Sequence, residues 1–122
     1  MSDAPLITTI SEDKECVTLI NTYLASGHED QDKLIKIIID ATEKVMRYQP
    51  GFISANIHRS YDGSAVTNYV QWRSSEHWSA ALQRPEVQEH INIIKERYTM
   101  KWAFYDVAYI SHTVDPNTKD SV

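Results

Sequence analysis

The sequence predicts an α+β fold in which two main helices cover one face of a four-stranded antiparallel sheet. An Asp62-Gly63 turn separates two runs of alternating apolar and polar residues, which is the pattern of a β-hairpin. A helical apolar periodicity precedes this hairpin and another follows it, with a β-rich segment at each end of the chain. The order strand, helix, strand, strand, helix, strand is the split βαβ arrangement of a ferredoxin-like fold. Short, right-handed connections then favour the sheet order 4-1-3-2.

The first strand and the first main helix occupy residues 16–50. Residues 16–25 are rich in β-branched and aromatic side chains and predict a strand. Ser26 and Glu29 have the spacing of a capping box, in which each side chain bonds the backbone N–H of the other residue. The helix that follows has apolar residues at spacings of four and three, namely Leu34, Ile38, Ala41, Val45 and Tyr48. Pro50-Gly51 ends it.

The hairpin register follows from the turn. A two-residue loop at residues 62–63 predicts the pairs Arg59 with Val66, Ile57 with Asn68, Ala55 with Val70 and Ile53 with Trp72. Opposed residues share a face, so Asn68 lies on an otherwise apolar face that we expect the helices to cover. The other face, with Phe52, His58 and Tyr69, is expected to stay open in a monomer. A homodimer packed sheet to sheet would cover it.

The remaining elements follow the hairpin in short succession. Ser74 or Ser75 caps a short extra helix that carries Trp78, and Pro85 suits the first turn of the second main helix. His90 lies at the edge of the apolar stripe of that helix. Residues 101–113 predict the last strand, where Trp102 is assigned to strand packing. We expect a flexible N-terminal arm at residues 1–14, one domain at 15–113 and a polar C-terminal tail at 114–122.

Composition argues against several functions. The net charge of −5 argues against a nucleic-acid partner, because phosphate binding depends on clustered Lys and Arg. The three glycines form no phosphate-binding loop and the five histidines have no metal-ligand spacing, so no metal and no cofactor are expected. The single cysteine, Cys16, fits a reducing compartment. Neither a membrane-spanning stretch nor a signal peptide is evident, which predicts a cytoplasmic protein without a membrane partner.

A family resemblance is carried by residues 50–82, which read PGFISANIHRSYDGSAVTNYVQWRSSEHWSAAL. This segment resembles the centre of the antibiotic biosynthesis monooxygenase (ABM) family of dimeric ferredoxin-like α/β-barrel proteins. The matching features are the Pro-Gly-Phe opening, the Asp-Gly turn, Asn68-Tyr69 followed by Trp72, and the Ser-Glu helix start. The resemblance covers roughly residues 15–113. It is strongest to cofactor-free monooxygenases that oxidise anthrone-like polycyclic phenols to quinones.

The resemblance implies an enzyme that uses O2 and a small aromatic substrate without a cofactor. It places the family's asparagine on Asn68 and its tryptophan on Trp72, which makes these two the predicted catalytic residues. Asn68 would stabilise a substrate oxyanion and Trp72 a peroxide. The predicted substrate-binding residues are Trp78, His90, Ile57 and Phe104. Two departures stand out: a helix tyrosine of that branch is replaced by Trp78, and an arginine on the following helix has no counterpart at residues 88–92.

Two other functions stay open. A haem-binding and haem-degrading branch of the family uses an asparagine on the first strand, which Asn21 matches. Its tryptophan position falls at Ala81, however, and its histidine is out of step with His90. The second alternative is a non-catalytic, dimeric ligand-binding accessory protein, which the missing arginine favours.

Overall fold

The fold has the predicted sheet and helix layer. The computed structural model describes residues 6–12, 15–115 and 117. Its elements are β1 (Val17–Leu24), α1 (His28–Lys44), a 3₁₀ turn (Met46–Tyr48), β2 (Phe52–Arg59), β3 (Ala65–Trp72), α2 (Ser75–Leu82), α3 (Pro85–Arg97) and β4 (Met100–Tyr105). The sheet is antiparallel in the order β2-β3-β1-β4. Since this is the order 4-1-3-2 read from the other edge, the predicted fold class and topology are confirmed.

Two clusters of buried residues join the helices to one face of the sheet. The first cluster is Tyr23, Leu34, Ile35, Ile38, Val66 and Ile94, and the second is Leu19, Val70, Trp72, Trp78 and Ala81. Tyr23 pairs with Val66, and Leu19 with Val70, across β1 and β3. The strand members of both clusters therefore point to the same face. The core lies between this face and the helices.

The hairpin keeps the predicted register except at its far end. From Arg59 to Ser54 the strands pair as the turn predicts. A β-bulge between Phe52 and Ser54 then shifts the register, so that Phe52 rather than Ile53 pairs with Trp72. The prediction that Phe52 lies on the open face is therefore wrong. Its ring makes an edge-on contact with the Trp72 ring at 5.5 Å on the helix-covered face.

One carboxylate holds the hairpin loop together. Asp62 Oδ1 accepts hydrogen bonds from the Ser64 hydroxyl at 2.6 Å, the Ser64 N–H at 2.9 Å and the Ser60 hydroxyl at 2.8 Å. These bonds, of which those from Ser64 have the largest effect, lower the pKa of Asp62 to about 2. Strand pairing resumes where the Ser60 N–H donates to the Ala65 carbonyl at 3.0 Å. The loop thus has four residues, 61–64, instead of the predicted two, without a change of register.

The first helix begins differently from the predicted capping box. Its N-cap is Gly27, which has no side chain to bond. The backbone N–H and the hydroxyl of Ser26 instead donate to Asp30 Oδ2 at 2.9 and 3.1 Å. Asp30 stands three residues after the N-cap and so takes the position predicted for Glu29. The helix also ends before Tyr48, whose side chain is exposed rather than part of the buried stripe.

The described residues before β1 and after β4 contain no regular secondary structure. The last strand ends at Tyr105 instead of residue 113, and residues 106–115 have no regular secondary structure. Near the N-terminus, the Thr9 N–H donates to Gln71 Oε1 at 2.8 Å, and Gln71 Nε2 donates to the Thr9 carbonyl at 2.6 Å. Gln71 lies on the sheet face that the helices leave open. The predicted domain limits at residues 14 and 114 stay predictions.

Candidate active site

A cavity of about 170 Å³ lies between the sheet and the helices. Its wall is mostly apolar and aromatic, and the polar members among the described residues are Asn21, Tyr23, Thr42, Asn68, His90 and Lys95. An engineered apolar cavity of about 150 Å³ binds benzene. The enclosed space therefore suits one or two fused rings, and a larger flat guest would extend through the mouth.

Short-range signals in the sequence position the helices over this cavity. The Ser74 hydroxyl accepts a hydrogen bond from the His77 N–H at 3.2 Å, so α2 begins where its predicted cap places it. This start turns Trp78 toward the sheet, where it is 8% exposed. Pro85 is the first residue of α3, as predicted, and this helix brings His90 to the cavity wall.

Four of the six predicted site residues lie in the cavity wall, namely Asn68, Trp72, Trp78 and His90. The other two lie beside the wall. Ile57 packs against the cluster that contains Tyr23 and Val66. Phe104 is 38% exposed, and its ring contacts that of Trp102 at 6.1 Å.

The side chain of Asn68 is held in the floor of the cavity by β3. It is 6% exposed, and its Oδ1 has no hydrogen-bond partner among the described residues. An unpaired buried acceptor of this kind costs about 1–3 kcal/mol. Buried polar atoms without a partner are uncommon in native proteins and call for an explanation. A guest hydroxyl or a water that donates a hydrogen bond to Oδ1 would recover this free energy.

A row of three indole rings leads from the cavity floor to its mouth. The ring centroids of Trp72 and Trp78 are 5.6 Å apart in a tilted contact, and those of Trp78 and Trp102 are 6.0 Å apart in an edge-on contact. The exposed fraction rises from 0% at Trp72 to 45% at Trp102, so the row of indoles reaches the surface. Within the described part of the chain, Nε1 of Trp72 and Nε1 of Trp78 have no acceptor.

Sequence reasoning missed Trp102 as a wall residue and cited Asn21 only for haem binding. Both side chains line the cavity. Asn21 pairs with Asn68 on one side and with Trp102 on the other, so the three residues form one row across the sheet. The signal that could have found Asn21 is its place between Leu19 and Tyr23 on the apolar face of the first strand.

Few titratable groups line the cavity. In the described wall they are Tyr23, His90 and Lys95, with no carboxylate. Burial raises the pKa of Tyr23 to about 12, so its hydroxyl stays protonated near neutral pH and can donate a hydrogen bond. Histidine is the side chain best suited to exchange protons near neutral pH. His90 is therefore the candidate proton acceptor of this cavity.

Three observations outside the cavity bear on other chemistry. Across residues 6–12, 15–115 and 117, no group of three or more His, Cys, Asp or Glu side chains is placed to hold a metal ion. In the same part of the chain no helix is long and apolar enough to cross a membrane. Burial, with a smaller contribution from the charge of Glu15, raises the pKa of Cys16. Its thiol is thus a poor nucleophile.

Comparisons with known proteins assign the chain to a family. The sequence profile described as antibiotic biosynthesis monooxygenase matches residues 18–92, which is more than half of the chain. The chain belongs to the antibiotic biosynthesis monooxygenase family. The tetracenomycin-F1 monooxygenase of Streptomyces glaucescens is 33% identical to it over 108 residues, which cover 88% of this chain and 96% of that protein.

Solved structures of other ABM-type proteins have the same fold. The ActVA-Orf6 monooxygenase of Streptomyces coelicolor, in complex with nanaomycin D, is 25% identical with a TM-score of 0.70, over 80% of this chain and 92% of that one. SnoaB of Streptomyces nogalater, a cofactor-independent oxygenase, is 18% identical with a TM-score of 0.67, over 79% and 96%. At that identity SnoaB supports the fold alone. The predicted ABM family is confirmed, and so is the prediction that the protein is a monooxygenase, because the family, the Streptomyces glaucescens relative and ActVA-Orf6 are all named as monooxygenases.

Proposed function

We propose that this protein is a cofactor-free monooxygenase that oxidises an anthrone-type polycyclic phenol to a quinone with O2. The observation that carries the proposal is the buried carboxamide of Asn68, which lies in the wall of an aromatic cavity. Its oxygen has no partner in the described structure. The 33% identity to tetracenomycin-F1 monooxygenase over most of the chain supports the same class of substrate. So does the nanaomycin D bound to ActVA-Orf6.

The role of Asn68 follows from the source of the electrons that reduce O2. In a reaction without a metal or a flavin, the substrate itself must supply them to O2. Removal of a proton from a phenol or from its benzylic carbon makes the substrate electron-rich and places negative charge on its oxygen. An amide N–H of Asn68 would donate to this oxyanion in a mostly apolar cavity. One donor of this kind contributes about 10²–10³-fold to the rate.

The remaining steps balance with O2 as the only oxidant. His90 accepts the first proton, and the enolate passes one electron to O2. The resulting radicals combine to form a carbon–oxygen bond, which gives a peroxide that we assign to the Trp72 N–H. Proton transfer to the peroxide, loss of the second hydrogen from the same carbon and cleavage of the O–O bond release one water. One oxygen atom ends in the quinone and the other in water.

Oxygen uptake with dithranol, an anthrone, tests this proposal. The wild-type protein is expected to consume one O2 per dithranol and to form the quinone. Asn68→Ala should lower the rate about 10²–10³-fold, and Trp72→Phe should also lower it. Asn92→Ala is the matched control, because Asn92 is exposed on α3 and lies outside the wall.

Three outcomes would contradict the proposal in different ways. Rates that are unchanged in both Asn68→Ala and Trp72→Phe would remove these residues from the mechanism. Quinone binding without oxygen uptake would identify an accessory protein instead. A shifted Soret band on mixing with haem, together with no activity on dithranol, would favour the haem branch.

A further inference from the structure

We infer that Tyr23 is a second catalytic hydrogen-bond donor of the cavity, which binds the substrate oxyanion together with Asn68. The inference rests on the proposed function, because that reaction places negative charge on a substrate oxygen. It gives a catalytic role to a residue of β1, a strand from which the mechanism above takes no group.

The Tyr23 hydroxyl is buried without a partner in the protein. The side chain is 5% exposed and lines the cavity. No described residue forms a hydrogen bond with this hydroxyl, and burial is the one cause of its raised pKa. The other hydroxyl of the described wall, that of Thr42, instead donates to the Ile38 carbonyl at 2.8 Å. Because buried tyrosine hydroxyls usually have a partner, we expect a guest in the cavity to supply one.

Tyr23 and Asn68 reach the cavity from neighbouring strands. Tyr23 of β1 pairs with Val66 of β3, and Asn68 follows Val66 by two residues. The three side chains therefore share a face of the sheet, and Tyr23 and Asn68 are diagonal neighbours on it. Residues in that relation lie about 7–8 Å apart, which is within reach of an aromatic side chain. A guest oxygen that accepts from Asn68 is thus within reach of the Tyr23 hydroxyl.

The surroundings of Tyr23 favour a donor that keeps its proton. The side chains in and around its cluster are apolar apart from Tyr98, whose hydroxyl donates to Asp30 at 3.1 Å. The described cavity wall holds no carboxylate to accept the Tyr23 proton. A hydrogen bond to a charged oxygen is stronger than one to a neutral oxygen. Tyr23 would therefore bind the oxyanion more strongly than the neutral substrate, which lowers the barrier to its formation.

The ionisation of a bound ligand tests the inference without turnover. 2-Hydroxyanthraquinone turns from yellow to red when its phenol loses a proton, so an absorbance titration of the complex gives the pKa of the bound ligand. The wild type should hold this pKa below that of the free ligand, because both donors stabilise the anion. Tyr23→Phe should raise the pKa of the bound ligand by about one pH unit, which is a tenfold change in the ratio of phenolate to phenol. His90 and Lys95, the other titratable groups of the described wall, are present in both proteins.

Two controls separate this role from packing. Tyr98→Phe removes a hydroxyl outside the wall and should leave the pKa of the bound ligand unchanged. Tyr23→Phe keeps the ring and removes only an unpaired hydroxyl, so urea denaturation should show no loss of stability. In oxygen uptake with dithranol, Tyr23→Phe should lower kcat by about 10–100-fold with little change in KM, because the bond strengthens as the oxyanion forms.

Each other result overturns the inference. An unchanged pKa of the ligand bound to Tyr23→Phe would show that the hydroxyl does not contact the anion. Equal losses of affinity for the phenol and the phenolate would show a role in packing, and absence of binding to the wild type would show that the cavity takes no such guest. The proposed function fails separately: a ligand pKa that depends on Tyr23, without oxygen uptake on dithranol, would retain Tyr23 as an oxyanion donor and exclude the oxygenase.

Discussion

Asn68 and His90 reach the cavity from different layers of the fold, the amide from β3 and the imidazole from α3. In the proposed reaction, Asn68 would act as the oxyanion donor on the sheet side of a guest and His90 as the proton acceptor on the helix side. Asn92, two residues beyond His90, is exposed and outside the wall. We therefore propose that His90 takes the place of the arginine that the family resemblance implies on this helix.

Replacement of His90 tests that assignment. His90→Gln is expected to lower the turnover of dithranol by about 10²–10⁴-fold, the usual contribution of general acid–base catalysis. Raising the pH should restore part of the rate, because the phenol then loses its proton to solvent. Stopped-flow oxygen uptake measures both effects. His112→Gln, in the exposed segment after β4, is the control. A His90→Gln variant with the wild-type rate would exclude this role.

Local patterns predicted some site residues and not others. Asn68 and Trp72 could be placed because the Asp62-Gly63 turn sets the register of β2 and β3 without reference to the rest of the chain. Asn21 and Trp102 lie on strands whose register depends on pairing between distant segments. A single sequence contains no direct signal for such pairing. The row that joins them to Asn68 became visible only in the structure.

The hairpin shows the same limit at the scale of the element. Its turn is local and was predicted, whereas the bulge in β2 depends on packing. The bulge brings Phe52 onto the Trp72 ring. It follows directly after Gly51, whose carbonyl accepts a hydrogen bond from the Arg73 N–H at 2.7 Å. Alternation of residue types could not show this shift, because either phase of β2 presents an apolar side chain at its start.

Gly51 should tolerate substitution poorly for two separable reasons. Its φ is +85°, and a Cβ there would clash with the His77 side chain. At Gly27 φ is +113°, but a Cβ would meet nothing within 4 Å. Backbone strain is expected to cost about 1–3 kcal/mol in both Gly51→Ala and Gly27→Ala. The clash should add about 1–3 kcal/mol in Gly51→Ala alone. Urea denaturation measures both changes.

A second substitution separates clash from strain. In a His77→Gly background, which also removes the clashing Cβ of His77, Gly51→Ala should destabilise the protein by the strain contribution alone, while the cost of Gly27→Ala should not change. Equal costs for Gly51→Ala with and without the His77 side chain would contradict the steric explanation.

For the molecule as a whole, the sheet has one face under helices and one face without them. The open face carries Tyr69, which pairs with Ile20 and with Asn56. Thr8 and Thr9 hydrogen-bond to other residues of this face. The fold class, the strand order and the family could be predicted from the sequence, because they follow from the order of patterns along one chain. A partner subunit cannot be derived in the same way, and the homodimer stays a prediction.

Sedimentation velocity tests the dimer. At micromolar concentration, the molar mass derived for the wild type is expected to be twice the chain mass of 14.1 kDa. Tyr69→Glu should shift it toward the monomer, because the new charge would be buried without a partner in the sheet-to-sheet contact. Tyr61→Glu is the control, since Tyr61 is fully exposed at the tip of the hairpin. A wild-type monomer at these concentrations would contradict the prediction.

The row of indoles also allows the occupancy of the cavity to be followed by fluorescence. The chain has three tryptophans, and all of them line the cavity. Indole emission from this protein therefore originates entirely beside its guest, from one chromophore in the floor, one in the ceiling and one at the rim. A quinone that enters would quench it without any attached label, so occupancy can be followed in the native protein during turnover.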